Sequence, residues 1–573
     1  MEFRNTRQGM AWLHTWLGLI LGFVLMICFF FGSLSVFDRE IDRWAIPDTR
    51  FEPQPMPSFD DLLIDVYERT LPDQDEYDTL MPLYHDEAQG PATPREQLPA
   101  DEYWAYTTHR DPVLRMGIGY RVPQAKNPEE HNHIHANMTI DPRTGADIPD
   151  EQLKIGSDWF YPLHYSLNLQ WKFIGYYIVG IAAFFMLVAL VSGIWIHRKI
   201  FKEFFTFRPD KRPQRKALDM HNMTGVVALP FHFFFALTGL IIFASFFYLP
   251  VTNTLLKPLH ELHEEIEATT TGLPHQRAGV AAPMASVDAM IVDAKKRWDD
   301  RGMAGEVGFL MIHHVGDANS YVSIYRAGSD RVALVGEGIH YSAVSGEMIY
   351  EDPEKSFAEN AGEFLTGLHL QHFEHWFLRW LYVAGGLLGC VCIATGFIFI
   401  VEKRKQQHNK AGSQDSRIVD AFAVTVITGM LLATVSMLLA NRLLPIELSN
   451  SELINSDLVN KGTWEKIIFC GVWALSFLHA VWRSAPVARA QSNPAWREQA
   501  FAVGAVAALA VIANWLTTGD NLIKTLLLDP YMAVAGVDIS LLLLSGICFW
   551  AAFQLPKKHS ENTEATQCNQ FSG

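Results

Sequence analysis

From residue 220 to residue 248 the chain runs without a single charged side chain, yet it carries a histidine at its start and another inside it. At 1.5 Å per residue, about 28 residues make a helix of roughly 40 Å, long enough to cross a bilayer. His221 and His232 stand on nearly the same face of such a helix, about 16 Å apart in depth. Ionisable side chains are costly within a membrane helix and mark functional positions by default.

Seven more runs of this kind occur in the 573 residues, 49% of which are apolar. The spans are expected at about 12–37, 173–197, 222–249, 377–401, 419–441, 465–483, 499–518 and 531–555. The expected fold class is an α-helical polytopic membrane protein of about eight spans with two small external α+β modules. The first run reads as a span and not a cleaved leader: it is too long, and acidic residues from Asp38 follow it without a small-residue cleavage site. Residues 198–220 carry eight Lys/Arg against three Asp/Glu, and 402–405 and 483–497 are also basic. These loops share one side if the N-terminus is cytoplasmic, so both termini are expected inside. The other side is acidic. Residues 38–163 hold 26 Asp/Glu and 11 Lys/Arg, which accounts for nearly all of the chain's net charge of −16. Such a field excludes nucleic acid as a partner and attracts cations.

Five of six cysteines (Cys28, Cys390, Cys392, Cys470, Cys548) fall in spans and Cys568 in the tail, so no disulfide framework is expected. Cys390 and Cys392 read as helix packing.

The expected order is span one over 1–44, a first external module over 45–163, and span two with its basic loop over 164–220. Span three follows over 221–250, a second external module over 251–368, span four over 369–411, and a four-span C-terminal region over 412–573. In the first module 59–69 reads as a short helix, and 103–106, 114–122 and 133–140 alternate as strands. In the second, 287–297 reads as helix and 307–313, 320–326 and 332–335 as strands. Asp141-Pro142-Arg143-Thr144-Gly145 and Tyr341 to Gly346 each run from strand into a Gly-closed turn.

This is an internal repeat. Leu13-His14-Thr15-Trp16-Leu17-Gly18 matches Met220-His221-Asn222-Met223-Thr224-Gly225, and Gly32-Ser33 falls where Gly239 falls. Leu163-His164 precedes Gly175, Gly180 and Ser192-Gly193, just as Leu368-His369 precedes Gly385, Gly386 and Thr395-Gly396. Small residues in such helices allow close approach of a neighbour or of a flat ligand. Beyond about residue 412 the pattern stops, and His479 is the sole histidine within those last spans.

The Leu-His starts, the Ser/Thr-Gly and Gly-Ser pairs and the Asp-Pro-Arg-Thr-Gly turn resemble the PepSY-associated transmembrane family over about residues 8–405. That family includes iron-regulated inner-membrane proteins and di-haem reductases of ferric siderophores. Its core has four spans, so the last four depart from it. The resemblance implies a bacterial inner membrane, external modules that are PepSY-like and periplasmic, and two haems b as cofactors.

Haem b in a helical bundle needs two neutral imidazoles from different helices. The repeat supplies two equivalent pairs, His14 with His221 towards the cytoplasm and His164 with His369 towards the outside. A single membrane histidine is ordinarily an interhelical hydrogen bond; the two symmetry-related pairs, taken with the family, turn the reading to haem. His197 at the end of span two and His232 at mid-depth are competitors. His372 and His375 stand close behind His369 and suit a supporting role. His131, His133 and His135 share one strand face, either a contact for iron or its chelate or a plain polar face. His260, His263 and Glu264 have the wrong spacing for a zinc protease motif.

The sequence has no Gly-x-Gly-x-x-Gly after a strand and no P-loop. Electrons are therefore expected from a quinol or a partner protein, with a ferric siderophore or other iron(III) chelate as acceptor. The alternatives are a component of an iron or siderophore transporter, or a non-catalytic membrane anchor with peptide-binding modules. The catalytic group in the first reading is the haem, so no side chain is assigned as acid, base or nucleophile.

Overall fold

The computed structural model describes residues 5–126, 132–148, 153–169, 171–197, 206–246, 270–328, 330–332, 336–371, 373–411, 417–445, 461–484 and 493–555. Helices α1 (Thr6–Ser35) and α2 (Asp38–Ala45) come first. They are followed by α3 (Ile64–Arg69), α4 (Gln74–Tyr84), β1 (Ala100–Thr108), β2 (Asp111–Arg121) and β3 (His133–Ile140). Next are α5 (Tyr161–Ser166), α6 (Ile174–Ile196), α7 (Pro213–Val227) and α8 (Leu229–Phe246). Then come α9 (Val287–Asp300), β4 (Val307–His313), β5 (Tyr321–Arg326), β6 (Gly338–Ser342), β7 (Met348–Glu351) and α10 (Phe357–Leu370). The last helices are α11 (Trp376–Ala411), α12 (Arg417–Val424), α13 (Met430–Leu443), α14 (Lys461–Arg483), α15 (Ala495–Thr518) and α16 (Met532–Gln554). The chain divides into two compact units, one of Met1–Pro47, Glu151–Ala236 and Trp380–Gly573, the other of Asp48–Asp150 and Leu237–Arg379.

The protein is a polytopic helical membrane protein with a separate antiparallel sheet domain. Among the described residues, seven helical stretches are long and apolar enough to cross a membrane. The expected third span is instead a broken one: Pro213–Val227 and Leu229–Phe243 pass the same test only jointly and bend by 64° at Ala228. Pro230 causes the break, since it has no N–H to give the carbonyl of Val226. α12 and α13 form one span through a π-helical turn, Thr425–Gly429.

In the first unit α1 packs along α6, and α15 packs along α13 and α16. α15 buries Val503, Gly504, Ala507, Ala510 and Ala513, small residues that let neighbouring backbones come close. Three of the last four spans are tied to the start of the chain through α2. The indole N–H of Trp44 donates to Asp538 at 2.8 Å, and Asn514 donates to the other oxygen of Asp538 at 3.3 Å. The guanidinium of Arg442 lies over the Trp44 ring at 5.1 Å and donates to the carbonyl of Ala45.

The second unit corrects the expectation of two separate modules. Among the described residues, all seven strands form one sheet in the order β3-β2-β1-β4-β5-β6-β7. The joint is β1 with β4, antiparallel, from Glu102 opposite His313 to Tyr106 opposite Phe309. Left alone, each segment would expose an edge strand; joined, they pair it. One core results, with Phe59, Leu63, Met116 and Ile118 from the first segment and Met290, Trp298, Leu310 and Ile324 from the second. The expected helix at 59–69 is a π turn (Phe59–Leu63) running into α3. The strand expected at 332–335 is not found: Val332 lies in a turn and the other three residues lie outside those described. Gly145 and Gly346, with φ of +69° and +75°, close the two equivalent turns in the left-handed region that favours glycine.

Candidate functional site

Each of the four expected ligand histidines packs against a glycine of another helix. His14 of α1 directs Nδ1 to the carbonyl of Ala189 at 3.0 Å and to Ser192 Oγ at 3.2 Å. A Cβ on Gly193 would stand 3.3 Å from its Cε1. His164 of α5 returns the arrangement: Nδ1 donates to the carbonyl of Cys28 at 2.8 Å, and a Cβ on Gly32 would meet that nitrogen at 2.6 Å. In the second half His221 Nδ1 donates to the carbonyl of Cys392 at 2.7 Å beside Gly396. His369 Nδ1 bonds Thr238 Oγ1 at 2.8 Å beside Gly239.

The glycine has a second effect beyond making room. Ala189, Cys28 and Cys392 each stand four residues before the glycine that the histidine touches. A helical side chain leans toward the N-terminus and covers the turn before its own Cα. Glycine at that position leaves the carbonyl one turn earlier open to a donor from outside the helix. The Ser/Thr-Gly and Gly-Ser pairs singled out in the sequence thus seat imidazoles, three of them on an uncovered carbonyl.

A carbonyl only accepts, so Nδ1 of His14 and of His221 carries the proton and Nε2 keeps the lone pair. These two rings come together, with centroids 6.1 Å apart and planes at 75°. His164 falls in the first unit and His369 in the second.

The family model of the PepSY-associated TM region matches residues 11–403. The chain belongs to the PepSY-associated transmembrane family. Similar to it, at 24% identity over 348 residues, is an uncharacterized protein of Pseudomonas aeruginosa, PA4219. The match covers 56% of this chain and 79% of that protein. All four histidine seats lie inside the PepSY-associated region, and α12 to α16 lie beyond it.

Within that region the competing histidines are held differently. His197 caps the end of α6, its N–H bonding Gly193 at 3.0 Å. His232 is buried and meets Phe29 edge-on at 5.2 Å; its Nε2 has no hydrogen-bond partner among the described residues and abuts Gly389, where a Cβ would be 3.1 Å away. His375 accepts from the N–H of Leu378 at 3.4 Å in the first turn of α11. His372, His131, His260 and His263 lie outside the described residues.

His133 and His135 do share a face of β3, with rings 6.3 Å apart, but each has its own carboxylate. His133 Nε2 bonds Asp101 at 3.0 Å and His135 Nδ1 bonds Glu76 at 2.7 Å. Asp101 also receives Arg277, and His314 stands 3.8 Å from it. Burial pushes the Asp101 carboxyl up, but His133, His314 and Arg277 together hold it well below the usual carboxylate range. No group of three or more His, Cys, Asp or Glu among the described residues could hold a metal ion. Sequence reading took Cys392 for helix packing and missed its carbonyl as the anchor of His221. Its position four residues before Gly396 was the available signal.

Proposed function

We propose that the chain is an inner-membrane di-haem b-type reductase that passes electrons across the membrane to a ferric siderophore or other iron(III) chelate in the periplasm. His14 and His221 would hold one haem, and His164 and His369 the other. The observation that carries the reading is the His14–His221 pair. Metal–imidazole bonds are about 2.0–2.1 Å, so two imidazoles with one metal directly between them would have ring centres roughly 6 Å apart. The observed separation is 6.1 Å. That spacing also suits an ordinary edge-to-face ring contact; the anchored Nδ1 of both rings adds what a ligand needs, a fixed orientation and a lone pair on Nε2. A haem would need only these two side chains from the protein.

Haem iron, when bound, supplies a one-electron carrier between ferric and ferrous states. The chain's own part is to orient the imidazoles through Ala189, Cys28, Cys392 and Thr238, and to make room for them with four glycines. Reduction loosens a chelate because hard oxygen donors favour Fe(III). In this reading eight crossings count the bent pair as one, both termini are cytoplasmic, and the sheet domain faces the periplasm as paired PepSY modules. The donor is a quinol or a partner protein, since the sequence carries no nicotinamide or flavin motif.

The test is the visible spectrum of purified protein, oxidised and dithionite-reduced, with haem counted per chain. Two b-type haems per chain are expected; a colourless protein would overturn the reading in favour of a transporter or a non-catalytic anchor.

A further inference from the structure

α14 carries a histidine in its most exposed apolar stripe. Leu475, Leu478 and Trp482 are 63%, 60% and 70% exposed, and His479 completes their i, i+3, i+4, i+7 pattern on a helix apolar enough to cross a membrane. The imidazole side chain is 32% exposed on that stripe.

It is held by an organised set of polar groups. Gln499 donates its amide to His479 Nδ1 at 3.3 Å, so Nδ1 is the acceptor and Nε2–H points to Glu498 Oε2 at 3.1 Å. Arg483 donates to the same carboxylate at 2.8 Å. Gln499 is itself buried: its carbonyl accepts from Thr428 at 2.8 Å and its amide also donates to Ser476 O at 2.8 Å. Thr428 belongs to the π turn Thr425–Gly429, and Trp473 donates to the Thr425 carbonyl at 3.1 Å. A salt bridge between helix ends needs only Arg483 and Glu498; the π turn, Thr428 and Gln499 serve to fix His479.

We propose that His479 and Glu498 bind the headgroup of a membrane quinol, the electron donor; this rests on the haem reading of the preceding subsection. A polar site opening onto lipid is reached by a ligand dissolved in lipid. A carboxylate hydrogen-bonded to imidazole recognises a hydroxyl that must lose its proton, and the exposed Trp482 offers a flat ring to an aromatic head. The site also adjoins the helix that bears His14: Trp473 of α14 and Phe422 of α12 meet Phe23 of α1 at 5.7 and 5.5 Å. In the reaction the quinol loses two protons and two electrons and leaves as quinone. Two O–H bonds break and two C=O bonds form. Glu498 accepts the protons one at a time and passes each to water; a ferric haem held by the histidines would be the one-electron oxidant.

The test uses full-length protein in phosphatidylcholine vesicles and a photoreactive azidoquinone, with label mapped by mass spectrometry. Label is expected on α14 near His479 and on the first turn of α15, displaced by ubiquinone. His479→Leu and the isosteric Glu498→Gln should each lower it at least tenfold, while Leu475→Ala keeps it. Both variants should retain the dithionite-reduced haem spectrum, which reports folding, and slow quinol-driven reduction at least tenfold. Label elsewhere, label unchanged in both variants, or label displaced by cardiolipin but not by ubiquinone overturns the proposal. Label at His479 on a haem-free protein would instead sink the haem reading, and with it the donor role.

Discussion

Asp60 and Asp288 cap each other's helices. Asp288 accepts from the Phe59 N–H at 2.8 Å and from Ser58 Oγ at 2.5 Å; Asp60 accepts from the Val287 N–H at 3.0 Å and from Ser286 Oγ at 2.5 Å. Each carboxylate thus sits at the positive end of the other's helix. Ser58-Phe59-Asp60 and Ser286-Val287-Asp288 are equivalent positions of the repeat, so the exchange expresses a local two-fold relation within the sheet domain.

That relation predicts matched mutational effects. Asp60→Ala and Asp288→Ala should each destabilise the sheet domain by about 1–2 kcal/mol, the loss of a charged cap. The double variant should fall short of the sum, because the two caps share one junction. Calorimetry of the full chain checks this; strict additivity would mean two independent helix ends.

The histidine–glycine contacts predict a graded series. A Cβ at Gly32 would stand 2.6 Å from His164, against 3.2 Å for Gly239 and 3.3 Å for Gly193 and Gly396 from their histidines. Gly32→Ala should therefore lose the second haem, whereas Gly193→Ala and Gly396→Ala should keep the first with a shifted reduction potential. Haem stoichiometry and redox titration measure both. Equal loss in all four would place the glycines in general helix packing.

Much of this was legible in the sequence, because hydropathy and the Leu-His and Ser/Thr-Gly spacings are local signals. Strand β4 falls at 307–313, as alternation predicts. The pairing of β1 with β4 was not legible, since Tyr106 and Phe309 meet across about 200 residues and nothing local selects that partner. β7 was missed, and of β6 the sequence showed only the end at Tyr341 and Ser342: the apolar residues 332–335 drew the prediction, while Gly338, His340 and Tyr341 follow no clean alternation. The break at Ala228 was readable from Pro230, but the hydropathy of 222–249 masked it.

Two carboxylates predict acid sensitivity of the sheet domain. Burial raises Glu337, but Arg331 and Arg326 bring it down to about 2. Asp101 is likewise held low. A depressed carboxylate stabilises the fold above its unfolded value and loses that contribution as pH falls toward its folded value. Stability should thus be level above about pH 4.5 and fall below it. Glu337→Gln and Asp101→Asn should flatten the fall in calorimetric scans; an unchanged slope would remove these groups from the account.

The charge asymmetry predicts topology. Cysteines added at Gln89 in the acidic segment and at Lys211 in the basic loop should differ in labelling by an impermeant maleimide on intact spheroplasts. The first should react and the second should not. Equal labelling would refute the orientation.

The most direct test of the central claim replaces His14, His221, His164 and His369 by alanine one at a time and counts haem with the reduced spectrum. His14→Ala and His221→Ala should damage the same haem and leave the other. His164→Ala and His369→Ala should damage the second and abolish iron(III) reduction outside. Loss of a haem on His197→Ala or His232→Ala, with one of the four silent, would contradict the pairing.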